Sequence, residues 1–201
     1  LTEGPEHEFR LHPNLRKRFI RLSEPQEEDL RSDVDRVKEA LSEEGEELRF
    51  DLPLVQRLPL LLREQDFALT VVLDGEDIIA LERSDTTERI YGVALDVGTT
   101  TIVGTLSDLA TGQRKGVASR TNPQVHFGDD VVRRIKYAEE HRDGLDQLNR
   151  RLIACLNEII LELTDTAGIE LHEVYEVTVV GNTTMTHTLL GIHPGPIAHA
   201  P

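Results

Sequence analysis

Residues 93–106 predict a β-strand, a tight turn and a second β-strand, and this stretch limits the fold more than any other. An apolar run ends at Asp96, a glycine follows two residues later, and three threonines precede the next apolar run. Glycine adopts backbone angles that other residues avoid and lets a ligand approach the main chain, so the amides of the turn can face an anion. The turn therefore predicts a phosphate-binding site formed by Gly98, Thr99, Thr100 and Thr101.

The carboxylate of Asp96 indicates a metal nucleotide as the ligand. Two negative charges repel each other unless a cation lies between them, and magnesium prefers carboxylate and phosphate oxygens. We therefore predict that Asp96 holds Mg2+ through water. An ordinary hairpin is the alternative, because threonine is a good strand former and glycine-threonine turns are common. The motif is not a P-loop, because no Gly-Lys-Ser/Thr triplet precedes a helix.

Two further motifs follow the turn in a fixed order. The first comprises Asn122-Pro123-Gln124 and the segment 127–135, and the second is the segment 180–187. With the glycine-threonine turn, they resemble the reductive activators of corrinoid proteins. In that family, the ATPase domain belongs to the superfamily of acetate and sugar kinases, heat-shock chaperones and actin. The resemblance runs from about residue 32 to residue 201.

The resemblance implies an activity for a longer parent protein. Family members use ATP to drive electron transfer onto the cobalt of a corrinoid protein, and they carry a 2Fe-2S cluster in a ferredoxin-like domain. Such a cluster needs four thiolates, whereas this chain contains one cysteine, Cys155, so we expect the cluster in an upstream domain absent from this chain. We expect a fragment that comprises the middle domain and the first part of the ATPase domain. Its nucleotide site is expected to be incomplete, and the isolated fragment inactive.

The resemblance also implies roles for residues of the second and third motifs. It places the nucleotide near Gly181, Asn182, Thr183 and Thr184. It also implies a role in the active cleft for Asn122, Gln124 and Asp130.

Helix capping is the alternative for several of these residues. Either Asn182 or Thr183 can cap the helix that follows the third motif. In the second motif, we predict that Asp129 caps a helix and that Asp130 pairs with Arg134, four residues later. The sequence identifies no catalytic base.

The polar stretch 83–89 predicts a domain boundary. Residues 1–88 are expected to form a small α+β domain, with a helix capped by Ser32, a second helix after Pro53 and a hairpin at Asp74-Gly75. Residues 89–201 are expected to form the N-terminal part of an actin-like (ribonuclease H-like) ATPase domain of the α/β class.

The apolar spacing also places the elements of the second domain. The predicted elements are strands at 90–97, 100–107 and 113–119, helices at 129–140 and 145–167, a short buried strand at 177–180, and a helix at 183–190. Gly168 is expected to end the long helix.

The amino-acid composition limits the classes of partner that this chain is expected to bind. With 37 acidic and 22 basic residues, the net charge of −15 disfavours nucleic acid and anionic membranes. We predict a cytoplasmic protein, because a lone cysteine in a helical apolar pattern is typical of a reducing compartment. A corrinoid protein is the partner that the resemblance implies, and self-association of the fragment is expected through apolar surface left by a missing lobe.

Two other functions remain open. One is a small-molecule kinase of the same superfamily, with an acidic base in its cleft. The other is a non-enzymatic docking or dimerisation module that binds a partner without nucleotide.

Overall fold

The computed structural model of the protein describes residues 13–41 and 47–198. Within them the chain forms two compact units, which divide between Ile90 and Tyr91. The described residues form helices and strands, with one sheet in each unit, so the fold is mixed α and β. In these residues no helix is both long enough and apolar enough to cross a membrane.

The first unit is a four-stranded sheet with two helices. Its elements are β1 (Leu15–Arg21), α1 (Asp33–Leu41), β2 (Arg49–Phe50), α2 (Leu52–Glu64), β3 (Ala68–Asp74) and β4 (Asp77–Arg83). The strand order is β1-β3-β4-β2, with β2 parallel to β4 and the other neighbours antiparallel.

Local sequence explains where the elements of the first unit begin. The hydroxyl of Ser32 accepts a hydrogen bond from the amide of Asp35 at 3.1 Å, and the carboxylate of Asp51 accepts one from Leu54 at 3.0 Å. Both predicted helices are confirmed, and so is the hairpin at Asp74-Gly75. The alternating sequence Phe9-Arg10-Leu11 also predicts a strand, and these residues lie outside the described ranges.

The second unit contains the three motifs. Its elements are β5 (Tyr91–Val97), β6 (Thr101–Asp108), β7 (Arg114–Thr121), a 3-10 turn (Pro123–Phe127), α3 (Val131–Glu140), α4 (Gly144–Ala167), a second 3-10 turn (Leu171–Glu173), β8 (Val174–Gly181), α5 (Thr183–Leu189) and α6 (Gly195–Ala198). The strand order is β7-β6-β5-β8; the first three strands are antiparallel, and β8 runs parallel to β5.

Helix α4 packs on one face of this second sheet. Its buried side chains share one helical face and pack against the apolar side of the sheet, chiefly on β6 and β7: Leu152, Cys155, Leu156, Ile159 and Leu163. A glycine on β6 allows the close approach, because a Cβ at Gly104 would lie 2.4 Å from Cγ2 of Ile159. The left-handed Gly168 ends α4 with a φ of 66°, as predicted.

Strand β8 differs from the prediction. Its apolar sequence indicated a buried strand, but Val177, Val179 and Val180 are 49%, 37% and 58% exposed. The reason is position, because β8 is the last strand of the sheet and has β5 as its one strand neighbour among the described residues. An apolar strand at a sheet edge keeps its β-propensity without being buried.

Candidate functional site

The glycine-threonine turn connects β5 to β6. The amide of Gly98 donates to the carbonyl of Thr101 at 3.0 Å, which closes the turn. The φ of Gly98 lies outside the left-handed region, so the turn does not use the unusual backbone angles that glycine permits. Glycine is needed for space instead, because a Cβ would lie 2.6 Å from the carbonyl oxygen of Thr101.

Asn122 holds the turn from its inner side. Its side-chain amide donates to the carbonyl of Gly98 at 2.8 Å, and its backbone amide donates to the carbonyl of Thr100 at 2.8 Å. The side-chain oxygen of Asn122 accepts from the amide of Gln124 at 3.0 Å, which starts the 3-10 turn. Asn122 and Gln124 are fully buried, so their side chains form part of the support behind the turn and do not line an open surface.

Arg134 is a second support of the turn, and sequence reasoning missed it. The guanidinium donates to the carbonyl of Thr99, to the carbonyl of Gly128 at 2.9 Å and to the side-chain oxygen of Gln124 at 3.2 Å. A weaker contact joins it to the sulfur of Met185 at 3.4 Å. Arg134 is fully buried, and this desolvation lowers the pKa of its guanidinium.

The predicted pairing of Asp130 with Arg134 is wrong, and so is the capping role of Asp129. Helix α3 begins at Val131, and Asp130 is its N-cap, with its carboxylate accepting from the amide of Arg133 at 2.8 Å. Asp129 forms an ion pair with the exposed Arg133 at 2.7 Å. One signal could have located Arg134 correctly, because it shares a helical face with the buried Ile135 and Ala138.

Asn182 joins the third motif to the turn. It caps α5 by accepting from the amide of Met185 at 3.1 Å, and its side-chain amide donates to the hydroxyl of Thr99 at 3.1 Å. Gly181 and Thr183 are exposed beside it, whereas Thr184 is 5% exposed and packs inward. A Cβ at Gly181 would lie 3.1 Å from the carbonyl oxygen of Val97, so this glycine lets the ends of β8 and β5 lie close together.

The outer side of the turn is polar and accessible. Thr100, Thr101 and the carboxylate of Asp96 are exposed, and Thr99 is partly exposed. The amides of Thr99 and Thr100 donate to no acceptor within residues 13–41 and 47–198, and the side-chain carboxylate of Asp96 has no hydrogen-bond or ion-pair partner there. The same residues contain no cluster of three or more His, Cys, Asp or Glu side chains suited to a metal ion.

The structure thus places residues of the second and third motifs in contact with the glycine-threonine turn. Asn122 and Arg134 contact the inner side of the turn, and Asn182 contacts Thr99 from the end of β8. Asp130 lies at the start of α3 and makes no contact with the turn among the described hydrogen bonds. The arrangement offers two amide donors, three hydroxyls and one carboxylate on a surface that the described residues leave open.

Comparison with known proteins identifies both regions of the chain. Residues 91–201 match the family model described as the RACo middle region, and residues 4–88 match the one described as the RACo linker region. These descriptions differ from the predicted names, since we expected a middle domain in the first region and the start of an ATPase domain in the second.

Two relatives agree with these matches. The chain is 37% identical over 134 residues to the corrinoid activation enzyme RamQ of Eubacterium limosum, which covers 66% of this chain and 23% of RamQ. A solved structure of a reductive activator for corrinoid, iron-sulfur protein is 34% identical, with a TM-score of 0.84 over 96% of this chain and 32% of that chain. The chain spans a third or less of these relatives. Because the model of the middle region matches more than half of the chain, this protein belongs to the RACo family, as the three ordered motifs predicted.

Proposed function

We propose that this chain is the part of an ATP-dependent reductive activator that supplies the first phosphate-binding turn. In the full-length parent protein, ATP would drive electron transfer to the cobalt of a corrinoid protein. The observation that carries the proposal is the glycine-threonine turn, which is held in place by residues of the other two motifs and keeps its outer donors free. The two relatives, a corrinoid activation enzyme and a reductive activator for a corrinoid, iron-sulfur protein, support the choice of a corrinoid protein as the partner.

The order of the strands supports an actin-like ATPase domain. Three antiparallel strands followed by a parallel fourth strand, in the order β7-β6-β5-β8, are what the ribonuclease H-like fold requires of its first four strands. The connection from β7 to β8 passes through α3 and α4, and α4 covers one sheet face. This order places the turn at the carboxyl end of β5, beside the end of the parallel β8, where ligands bind in many open α/β sheets.

The residues of the turn fit a magnesium nucleotide. The free amides of Thr99 and Thr100 suit phosphate oxygens, and the unpaired carboxylate of Asp96 suits a hydrated magnesium ion. Bound ATP would supply the free energy that biases a conformational change in the parent protein. The threonine hydroxyls and amides would orient the phosphates, and Asp96 would fix the cation beside them.

A 2Fe-2S cluster does not fit this chain. Cys155 is the one cysteine of the sequence, and its side chain is buried against the second sheet, where burial raises the pKa of the thiol. We propose that the cluster belongs to another domain of the parent protein. The isolated chain would then lack both redox activity and a complete nucleotide site. Its single buried thiol also supports a cytoplasmic location.

The test uses the full-length parent protein with and without the substitution Asp96→Asn. Calorimetry with magnesium ATP should give at least about tenfold weaker binding for Asp96→Asn, because a neutral amide cannot balance the cation. Asp146→Asn is the matched control, since this aspartate is exposed on α4 and pairs with Arg150. ATP-dependent reduction of a cob(II)alamin protein, followed by absorbance, should fall with ATP binding. Equal binding by both variants and wild type would refute the site, and phosphorylation of a small molecule in place of cobalt reduction would favour the kinase.

One observation favours a docking or dimerisation module as the second candidate. Strand β8 exposes three valines, and an apolar strand with an open edge is a surface that a partner chain or a second copy can cover. Under this alternative, Asp96→Asn would change neither ATP binding nor partner binding by the parent protein. Under our first proposal, partner activation falls with ATP binding.

A further inference from the structure

The carbonyl groups of three successive residues in the turn are fixed from the inside. Gly98 and Thr100 accept from Asn122, and Thr99 accepts from Arg134. The described residues contain no cis peptide bond, so each amide points opposite to the carbonyl of the same peptide unit. The carbonyl of Gly98 shares a peptide with the amide of Thr99, and the carbonyl of Thr99 shares one with the amide of Thr100. Fixing these two carbonyls inward therefore fixes both amides outward.

The charge of Arg134 adds an electrostatic effect to this orientation. No carboxylate among the described residues forms an ion pair with the guanidinium, which is held by carbonyl and amide oxygens instead. Arginine keeps its proton in proteins, so a full positive charge lies buried behind the turn. The hydrogen bond to the carbonyl of Thr99 also polarises that peptide and makes the amide of Thr100 a stronger donor.

We propose that Asn122 and Arg134 are positioning residues, which aim the amides of Thr99 and Thr100 at a phosphoryl oxyanion and give the turn its preference for anions. Neither side chain touches the ligand, since both act from the buried side of the turn. The inference rests on the proposed function, because it concerns the same turn. It assigns a role to two residues of the second motif, and for Arg134 it replaces the surface ion pair that sequence spacing indicated.

The test measures the two amides directly by NMR in the full-length parent protein. Inorganic pyrophosphate with magnesium chloride is the probe, and the amide shifts of Thr99 and Thr100 are followed against those of Leu95 and Ile102 as internal references. In wild type, the two turn amides should shift on titration and the references should not. Arg134→Met should weaken the apparent affinity for magnesium pyrophosphate by about tenfold, which is the effect expected when one charge-assisted hydrogen bond is lost. Arg133→Met is the matched control, because Arg133 is adjacent, exposed and paired with Asp129.

Each outcome separates this inference from the proposed function. Turn amides that fail to respond in wild type overturn the phosphate site and the positioning roles together. A wild-type response that Arg134→Met retains in full overturns the positioning role of Arg134 alone. Loss in Arg134→Met, with the response kept in Arg133→Met, supports the inference.

Two lysine variants, Arg134→Lys and Arg133→Lys, test the inference if Arg134→Met does not fold. Arg134→Lys retains a positive charge but not the forked geometry that reaches Thr99, Gly128 and Gln124 together. Its affinity should lie between those of wild type and Arg134→Met, about threefold below wild type, whereas Arg133→Lys should match wild type. Equal affinities in the two lysine variants would overturn the inference.

Discussion

The two sheets of this protein each contain a glycine hairpin turn, and the two glycines are needed for different reasons. Gly75, between β3 and β4, has a φ of +57°, and a Cβ there would meet no atom within 4 Å. Gly98, between β5 and β6, has a φ outside the left-handed region, and its Cβ would lie 2.6 Å from a backbone oxygen. The first turn needs glycine for its conformation, and the second needs it for space.

The surroundings of the two turns differ in the same way. The carbonyl of Gly75 accepts from the half-buried Arg16 at 3.3 Å in an exposed contact, and Arg49 pairs with Asp77 in a second exposed contact. At the other turn, the carbonyls are held by the buried Asn122 and Arg134. The comparison teaches that the turn for which we propose phosphate binding is distinguished by the distant residues behind it more than by its own sequence.

The largest expected effect is a difference in the free energy of unfolding between two variants that each remove the arginine of one turn. Arg134→Met should destabilise the second unit by about 3 kcal/mol, because buried carbonyls lose their donors. Arg49→Met should leave the first unit close to wild type, since its ion pairs are exposed. Native-state hydrogen exchange of β6 amides in the first variant and of β4 amides in the second measures both. Similar losses in the two sheets would remove the distinction between the turns.

A smaller effect is expected from alanine at each glycine. Gly98→Ala should cost about 2 kcal/mol through the close contact with Thr101, and Gly75→Ala about 1 kcal/mol through the left-handed backbone. Asparagine tolerates the left-handed region, so Gly75→Asn should recover most of the loss and Gly98→Asn none of it. Amide exchange at Ile78 and Ile102 reports on the two hairpins. Recovery by asparagine at both positions would show that both turns need glycine for conformation.

The smallest effect concerns the pKa of Asp77. Hydrogen bonds from Arg49, together with its charge, hold the pKa of this carboxyl below its ordinary value. The native-state pKa is thus below the unfolded one, so the pair's contribution to stability is complete above about pH 3.9 and is lost as the pH falls through the native value. Arg49→Met should raise the pKa of Asp77 towards the ordinary value in a carboxyl carbon NMR titration. An unchanged pKa would mean that the exposed turn does not depend on this arginine.

The sequence predicted most elements of the second unit, because their apolar periodicity is a local property. Helix α4 was expected at 145–167 and spans Gly144–Ala167, and the three antiparallel strands lie within two residues of their predicted ends. The exposure of β8 could not be predicted in this way, since apolar composition reports strand propensity and burial depends on which elements lie beside the strand. The role of Arg134 depends on carbonyls 6 and 35 residues away, and spacing along one helix could not reveal it.

The contact between Gln124 and α4 has a mechanical consequence. The side-chain amide of Gln124 donates to the carbonyl of Leu148 at 3.1 Å, so three hydrogen bonds lead from the carbonyl of Thr99 through Arg134 and Gln124 to the long helix. A helix of 24 residues is a stiff rod about 36 Å long. The turn and this rod are thus joined by polar contacts of fixed direction. Leu148 lies near the start of this helix, so a small tilt there would move the far end of the helix by a larger distance. A displacement of the turn could in this way reach a surface far from it.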